Sequence, residues 1–261
     1  NLFNTLLWLP FIGILVKIVT KIVPGKDTDR LPSEPVYLDY NVLERPFAAI
    51  HLAMKELSRL AGFASQMLVA AKKAFLGNSI NEVKNVLELE KSVNELQKKI
   101  VSYMASISST DTVTEKQAAQ LSGLMHVAAD IEHVGDYCEN IVVFAEEKTK
   151  NKYEFSDAAC AEIYECFDHA ARMLRDSIEA LETGDYRVAK GVKEQEEQLN
   201  HIEVLLRKQH MKRISEKKCS PEFTVIYTDV IHNIERIGDC CDNIANAVLD
   251  NVNFKASDSS N

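Results

Sequence analysis

Proline is missing from the middle of this chain. Six prolines occur in 261 residues, five of them at positions 10, 24, 32, 35 and 46 and the last at Pro221, so that residues 47–220 contain none. Glycine is also scarce, with 9 in all. A β-rich fold of that length needs frequent Gly/Pro turns, so the stretch is expected to be built of long helices. There is no surplus of positive charge. The net charge is −9 with a pI near 5.4, which excludes the broad basic footprint of a nucleic-acid-binding protein. No Cys-x-x-Cys pair occurs among Cys138, Cys160, Cys166, Cys219, Cys240 and Cys241, so a thiolate zinc site is not expected. A chain of this size needs no disulfide staples, and the thiols are read as reduced and mostly buried. No Glu-x-x-His pair is found, which counts against a bundle di-iron oxidase. Phosphate-cradling glycine loops and a Gly-x-Ser-x-Gly elbow are absent as well.

The composition that remains, 46% hydrophobic and 26% charged, is that of a globular protein able to bury a core. Its most apolar stretch is residues 2–23, unbroken from Leu6 to Val16. This is the length of a bilayer span, and Pro10 is tolerable within a membrane bundle. A basic n-region and a small-residue cleavage site are both lacking, so a signal peptide fits poorly. The competing reading is a core or interfacial helix. Lys17, Lys21, Lys26 and Arg30 place the C-terminal end of this expected transmembrane helix on the cytoplasmic side. With no initiator Met, residues 1–23 read as the last membrane helix of a longer protein. Residues 24–45 read as a proline-rich linker, extended or turning.

From Pro46 onward the apolar spacing is helical, as in Leu57, Leu60, Phe63 and Met67. Breaks at Gly77-Asn78-Ser79, Ser108–Asp111, Lys148–Tyr153, Thr183-Gly184-Asp185 and Ser220-Pro221 divide it into helices over 46–76, 79–107, 113–147, 156–182, 185–216 and 221–251. Thr112-x-x-Glu115 reads as a capping box for the third helix, Ser156 as a cap for the fourth, and Ser220-Pro221 as cap and first-turn proline for the sixth. Residues 255–261 are expected to be disordered.

The helices are duplicated. Ile131–Ile141 and Ile234–Ile244 share seven identities in eleven positions at an offset of 103, among them Glu132/Glu235, Gly135/Gly238, Asp136/Asp239 and Asn140/Asn243. Two further pairs in this motif are conservative, Val134/Ile237 and Glu139/Asp242, and His133 faces Arg236. The second and fifth helices match at an offset of 106, through Glu88/Glu194, Glu90/Glu196 and Asn94/Asn200. The expected architecture is all-α: a tandem pair of antiparallel three-helix bundles over 46–254, with repeats at 46–150 and 154–252.

At 100° per residue, Ile131, Val134, Cys138 and Ile141 form a core stripe, and Glu132, Asp136 and Glu139 line its edge. Glu235, Asp239 and Asp242 do the same in the second repeat, with His232 nearby. Gly135 and Gly238 lie between the stripes, where a neighbouring helix approaches closely. Carboxylates at i and i+4 repel one another, and a solvated face paired with Lys or Arg is the ordinary explanation. Here the pair recurs at equivalent places, which points to one carboxylate metal site per repeat, at Glu132/Asp136 and at Glu235/Asp239. Glu90, Asn94, Glu196 and Asn200, also spaced i and i+4, complete the sites from neighbouring helices. Oxygen donors suit hard cations or iron, with manganese or magnesium as further candidates. His51, His126, His169, His201 and His210 form no shared cluster and are read as surface or satisfied core residues.

Glu235–Ile244, and less fully Glu132–Ile141, resemble the signature of the PhoU family of phosphate-uptake regulators. The departure is His133, where the second repeat has the usual Arg236. The resemblance implies two three-helix units whose E-x-x-x-D motifs hold multinuclear iron or zinc clusters, through Glu132, Asp136, Glu235 and Asp239. Phe3-Asn4 with the apolar span after it, and Tyr37–Pro46, resemble the junction between the last membrane helix and the C-terminal domain of the bacterial sodium/phosphate cotransporter family. That resemblance implies a metal-binding regulatory domain in the cytoplasm, no enzyme activity, and an inner-membrane protein whose upstream part moves phosphate with sodium. Homo-oligomerisation is compatible with it, and nucleic acid is not a partner. A free-standing adaptor acting on a separate transporter or sensor kinase is the alternative, with residues 2–23 as a peripheral anchor. A metalloenzyme using the carboxylates is a third reading.

Overall fold

The computed structural model describes residues 33–250. The expected membrane helix over 2–23 and the tail 255–261 lie outside the described residues. Within them are six long α-helices and no strand. They are α1 (Pro46–Gly77), α2 (Ile80–Ser108), α3 (Glu115–Asn151), α4 (Asp157–Thr183), α5 (Tyr186–Ser215) and α6 (Thr224–Leu249). In each repeat every helix packs against the other two, and α3–α6 and α1–α4 contacts join the repeats. No helix among the described residues is long and apolar enough to cross a membrane.

The boundaries follow local chemistry, with four departures from the sequence expectation. First, α3 is capped two residues later than expected. Thr114 Oγ1 accepts from the Gln117 amide at 3.3 Å and Gln117 Oε1 accepts from the Thr114 amide at 3.0 Å, a reciprocal box that Glu115 does not make with Thr112. Thr112 Oγ1 instead lies 3.1 Å from Thr110 Oγ1. Second, α1 is terminated not by Gly77 but by Asn78 at φ 53°, a residue type that tolerates the left-handed region. Ser79 stands at the N-cap of α2 but makes no side-chain cap bond. Third, α3 runs through Lys148 to Asn151. Buried Lys148 donates to Phe75 O at 2.7 Å and Asn78 Oδ1 at 3.0 Å, capping the end of α1 rather than breaking its own helix. Fourth, Ser220 caps a short 3-10 turn, Pro221–Phe223, and α6 proper begins at Thr224. Ser156 caps α4 as expected.

The duplication persists in the packing. Gly184, which ends α4 at φ 64°, stands 106 residues after Asn78. Met67 on α1 meets Gly135, and Met173, 106 residues later on α4, meets Gly238. All cysteines are free, and Cys138, Cys166, Cys240 and Cys241 are buried. Each fully buried aliphatic or aromatic side chain contributes about 1.5–3 kcal/mol. The segment ahead of α1 is fastened to the bundle. Fully buried Glu56 accepts from the Val36 and Tyr37 amides at 2.9 and 2.7 Å, Lys99 donates to Ser33 O at 3.0 Å, and the Tyr103 hydroxyl donates to Asp39 O at 2.9 Å.

Candidate functional site

In the first repeat the carboxylates gather where α2 faces α3. Asn94 donates through its amide to Glu90 one turn earlier on α2, which ties the two side chains together. Across from them stand Glu132, Asp136 and Glu139, all half-buried. Burial raises the Glu90 carboxyl above its ordinary range, and the nearby charges of Glu139 and Asp136 raise it further. Burial and then Asp136 raise Glu132, and burial raises Asp136. Asn94 Oδ1 is buried and accepts no hydrogen bond.

The second repeat reproduces this between α5 and α6. Asn200 donates to Glu196 as Asn94 does to Glu90. Burial raises Glu196, with Asp242 and Asp239 adding to it against the Asn200 hydrogen bond. Glu235 is perturbed more strongly. Burial, then the charges of Asp239, Glu203 and Glu196, carry it to about 7 against the opposing pull of Arg236. Glu235 Oε2 and Asp242 Oδ1 are buried without a hydrogen bond. His232 Nδ1 lies 3.4 Å from Glu235 and 3.7 Å from Glu203, and Arg236 donates to Asp239 at 3.0 Å.

The structure thus sets Glu90 near Asp136 and Glu139, with Glu132 one turn away along α3, and Glu196 near Glu235, Asp239 and Asp242, but among the described residues neither set of carboxylates brings three ligand atoms within 4.8 Å of one another. Sequence reasoning missed Glu203, although Glu196, Asn200 and Glu203 recur at i, i+4 and i+7. Its counterpart 106 residues earlier is Gln97, so the internal repeat gave no signal for it. The donor set fits a hard or borderline cation, being mostly carboxylate and amide oxygen. Asn94 Oδ1, Glu235 Oε2 and Asp242 Oδ1 are buried oxygens open to a further partner. Of the expected lone histidines, His51, His126 and His201 are exposed and His169 and His210 are buried. His169 Nε2 lies 2.8 Å from Gln195 O, and buried His210 stacks on Tyr227 at 4.2 Å between ring centroids.

The two third-position helices are held together near these clusters by matched amide bonds. Asn140 donates to Asn233 at 3.1 Å, and Asn243 donates to Asp130 at 2.9 Å.

Six helices in two three-helix units, with paired carboxylates at one register of each, define a duplicated helical-bundle class. Comparison with known proteins gives the family. The PhoU domain profile matches residues 57–145 and 163–248, and the chain belongs to that family. It is similar to the "Putative inorganic phosphate export protein YjbB" of Salmonella typhimurium, 20% identical over 252 residues, covering 96% of this chain and 46% of the relative. The chain therefore spans about half the length of that relative. It is also 23% identical over 205 residues to the phosphate-specific transport system accessory protein PhoU homolog 1 of Thermotoga maritima, covering 75% of this chain and 86% of the relative. Among solved structures, PhoU from Pseudomonas aeruginosa superposes with a TM-score of 0.72 at 16% identity, covering 81% of this chain and 97% of that one. The fold is PhoU-like.

Proposed function

We propose that this chain is the regulatory end of a membrane phosphate transporter of the sodium-cotransporter type, with a metal-binding PhoU domain on the cytoplasmic side. One observation carries the fusion. The match to the export protein covers 96% of this chain, too much to leave out the apolar segment 2–23, and fills only 46% of the relative. The transport function, with sodium and phosphate as its ions, belongs on this reading to the remaining half. The helical domain is a regulator and not an enzyme.

Within the domain, Glu90, Asn94, Glu132 and Asp136 hold metal in the first repeat, and Glu196, Asn200, Glu235 and Asp239 in the second. Iron or zinc fits best, and manganese or magnesium fits the same oxygens. Bound metal neutralises the clustered carboxylates and cross-links the two helices that carry them. Asn94 and Asn200 orient Glu90 and Glu196 for that task. Of these carboxylates Glu235 is held furthest above its ordinary range, by burial and then by the charge of Asp239.

The test is elemental analysis of the full chain, wild type against an Asp136→Ala/Asp239→Ala variant, alongside phosphate flux in cells. Near-stoichiometric metal in the wild type and its loss from a still-helical variant are expected. Unchanged metal content would refute the metal assignment, and unchanged phosphate flux would refute the regulatory one. A free-standing adaptor is the second reading, favoured by the fact that the solved PhoU structure is matched over 97% of its own length. Extraction of membranes with alkaline carbonate separates the two, since a peripheral adaptor is released and a fused transporter end is not.

A further inference from the structure

The two copies of the eleven-residue motif differ non-conservatively at two positions, His133/Arg236 and Tyr137/Cys240. The α3–α6 contact is pseudo-symmetric, so those differences are distributed between its two ends. One end holds Asn233, Arg236 and Tyr137, none of which is a strong ligand for a transition metal in that state. The other holds Asp130, His133 and Cys240, with Asp130 in the place equivalent to Asn233. One ligand atom from each of these three residues lies within 4.8 Å of the other two. One member of each differing pair, His133 and Cys240, therefore meets at this end beside Asp130 just ahead of the motif, as a carboxylate, an imidazole and a thiol.

We propose that Asp130, His133 and Cys240 form a mononuclear site for a borderline divalent cation of the zinc type, separate from the carboxylate clusters and bridging the two repeats. The donor chemistry selects the cation class, because sulfur and imidazole nitrogen favour zinc or cobalt over magnesium or calcium. Three protein ligands leave the fourth tetrahedral position to water. Zinc bonds of about 2.0–2.3 Å set ligand atoms about 3.5 Å apart, so the three groups close by about 1 Å on binding. The room for that movement is at His133, which is exposed and whose Nε2 gives up only a 3.8 Å contact with Glu132. Cys240 is buried at 4% exposure and held by its helix. Asp130 is oriented by the Asn243 amide at 2.9 Å, the supporting hydrogen bond that metal-ligating carboxylates commonly have. The sequence rule that no Cys-x-x-Cys means no thiolate site fails here because the thiol comes from the other repeat, 107 residues from its histidine partner.

The test is titration of the full chain, stripped by chelator under anaerobic reducing conditions, with Co²⁺. Thiolate-to-cobalt charge-transfer absorption is expected, one equivalent per chain, bleached by added Zn²⁺. It should vanish in Cys240→Ser. His133→Arg, which copies the second repeat at an exposed position and so spares the fold, should weaken cobalt binding at least about tenfold. Asp136→Ala/Asp239→Ala should keep the band, a result that a carboxylate-only site cannot give. The proposal is overturned if the wild type shows no such band, if the band survives Cys240→Ser, or if it is lost in the Asp136/Asp239 variant while Cys240 and His133 are intact.

Discussion

The two repeats share a backbone plan and differ in what their polar residues do. Glu56 and Glu162 stand 106 residues apart on α1 and α4. Glu56 takes two backbone amides of the incoming segment. Glu162 takes both Arg213 guanidinium nitrogens at 2.6 and 2.7 Å and the Tyr227 hydroxyl, tying α4 to α5 and α6. The glycines differ in the same way. A methyl at Gly135 would stand 3.4 Å from Met67, whereas at Gly238 it would be 2.6 Å from Leu199. Leu199 replaces Val93, and its extra carbon closes the gap. After duplication, apolar positions kept the bundle geometry and polar positions were free to take separate roles.

Four changes test this comparison, from the largest effect downward. Arg213→Ala removes the cation paired with Glu162, leaving it the Tyr227 hydroxyl, and should cost about 3 kcal/mol in chemical denaturation, while at Ile107, the equivalent place in the first repeat, there is no ion pair to break. Next in size is a pH effect in metal-free protein. Glu235 titrates near 7 when folded against an ordinary 4.5, so the folded state holds its proton more tightly than the unfolded one. Its contribution is full below about 4.5 and is lost as pH rises through about 7. Glu235→Gln should flatten that decline in stability, and an unchanged slope would contradict the environment described. Gly238→Ala should destabilise by about 1 kcal/mol because Leu199 is buried and must shift. Gly135→Ala has the smallest effect and the opposite sign, a gain of about 0.5 kcal/mol from helix propensity, read as a small rise in Tm.

The helix count and the duplication were legible because each rests on periodic spacing within one helix or on repetition between two, whereas the facing of α2 onto α3 was not, being set by tertiary packing. Caps were legible only where one candidate existed. Ser156 was unambiguous, whereas Thr112 and Thr114 compete over three residues, and Gln117, not Glu115, decides between them. Lys148 misled because a lysine beside other charged residues looks like a surface break, and only the tertiary fold shows it reaching the end of α1. Glu203 and the Asp130–His133–Cys240 group were illegible for a common reason. The internal repeat highlights what the copies share, and these residues are where they differ.

The clamp ahead of α1 has a mechanical consequence. Glu56 grips residues 36 and 37 from α1, while Lys99 and Tyr103 grip Ser33 and Asp39 from α2. Tension or torque arriving along the chain before residue 33 is therefore delivered as shear between α1 and α2, not absorbed by a slack tether. Because α2 also carries Glu90 and Asn94, the load path ends on the helix that forms one wall of the first carboxylate cluster.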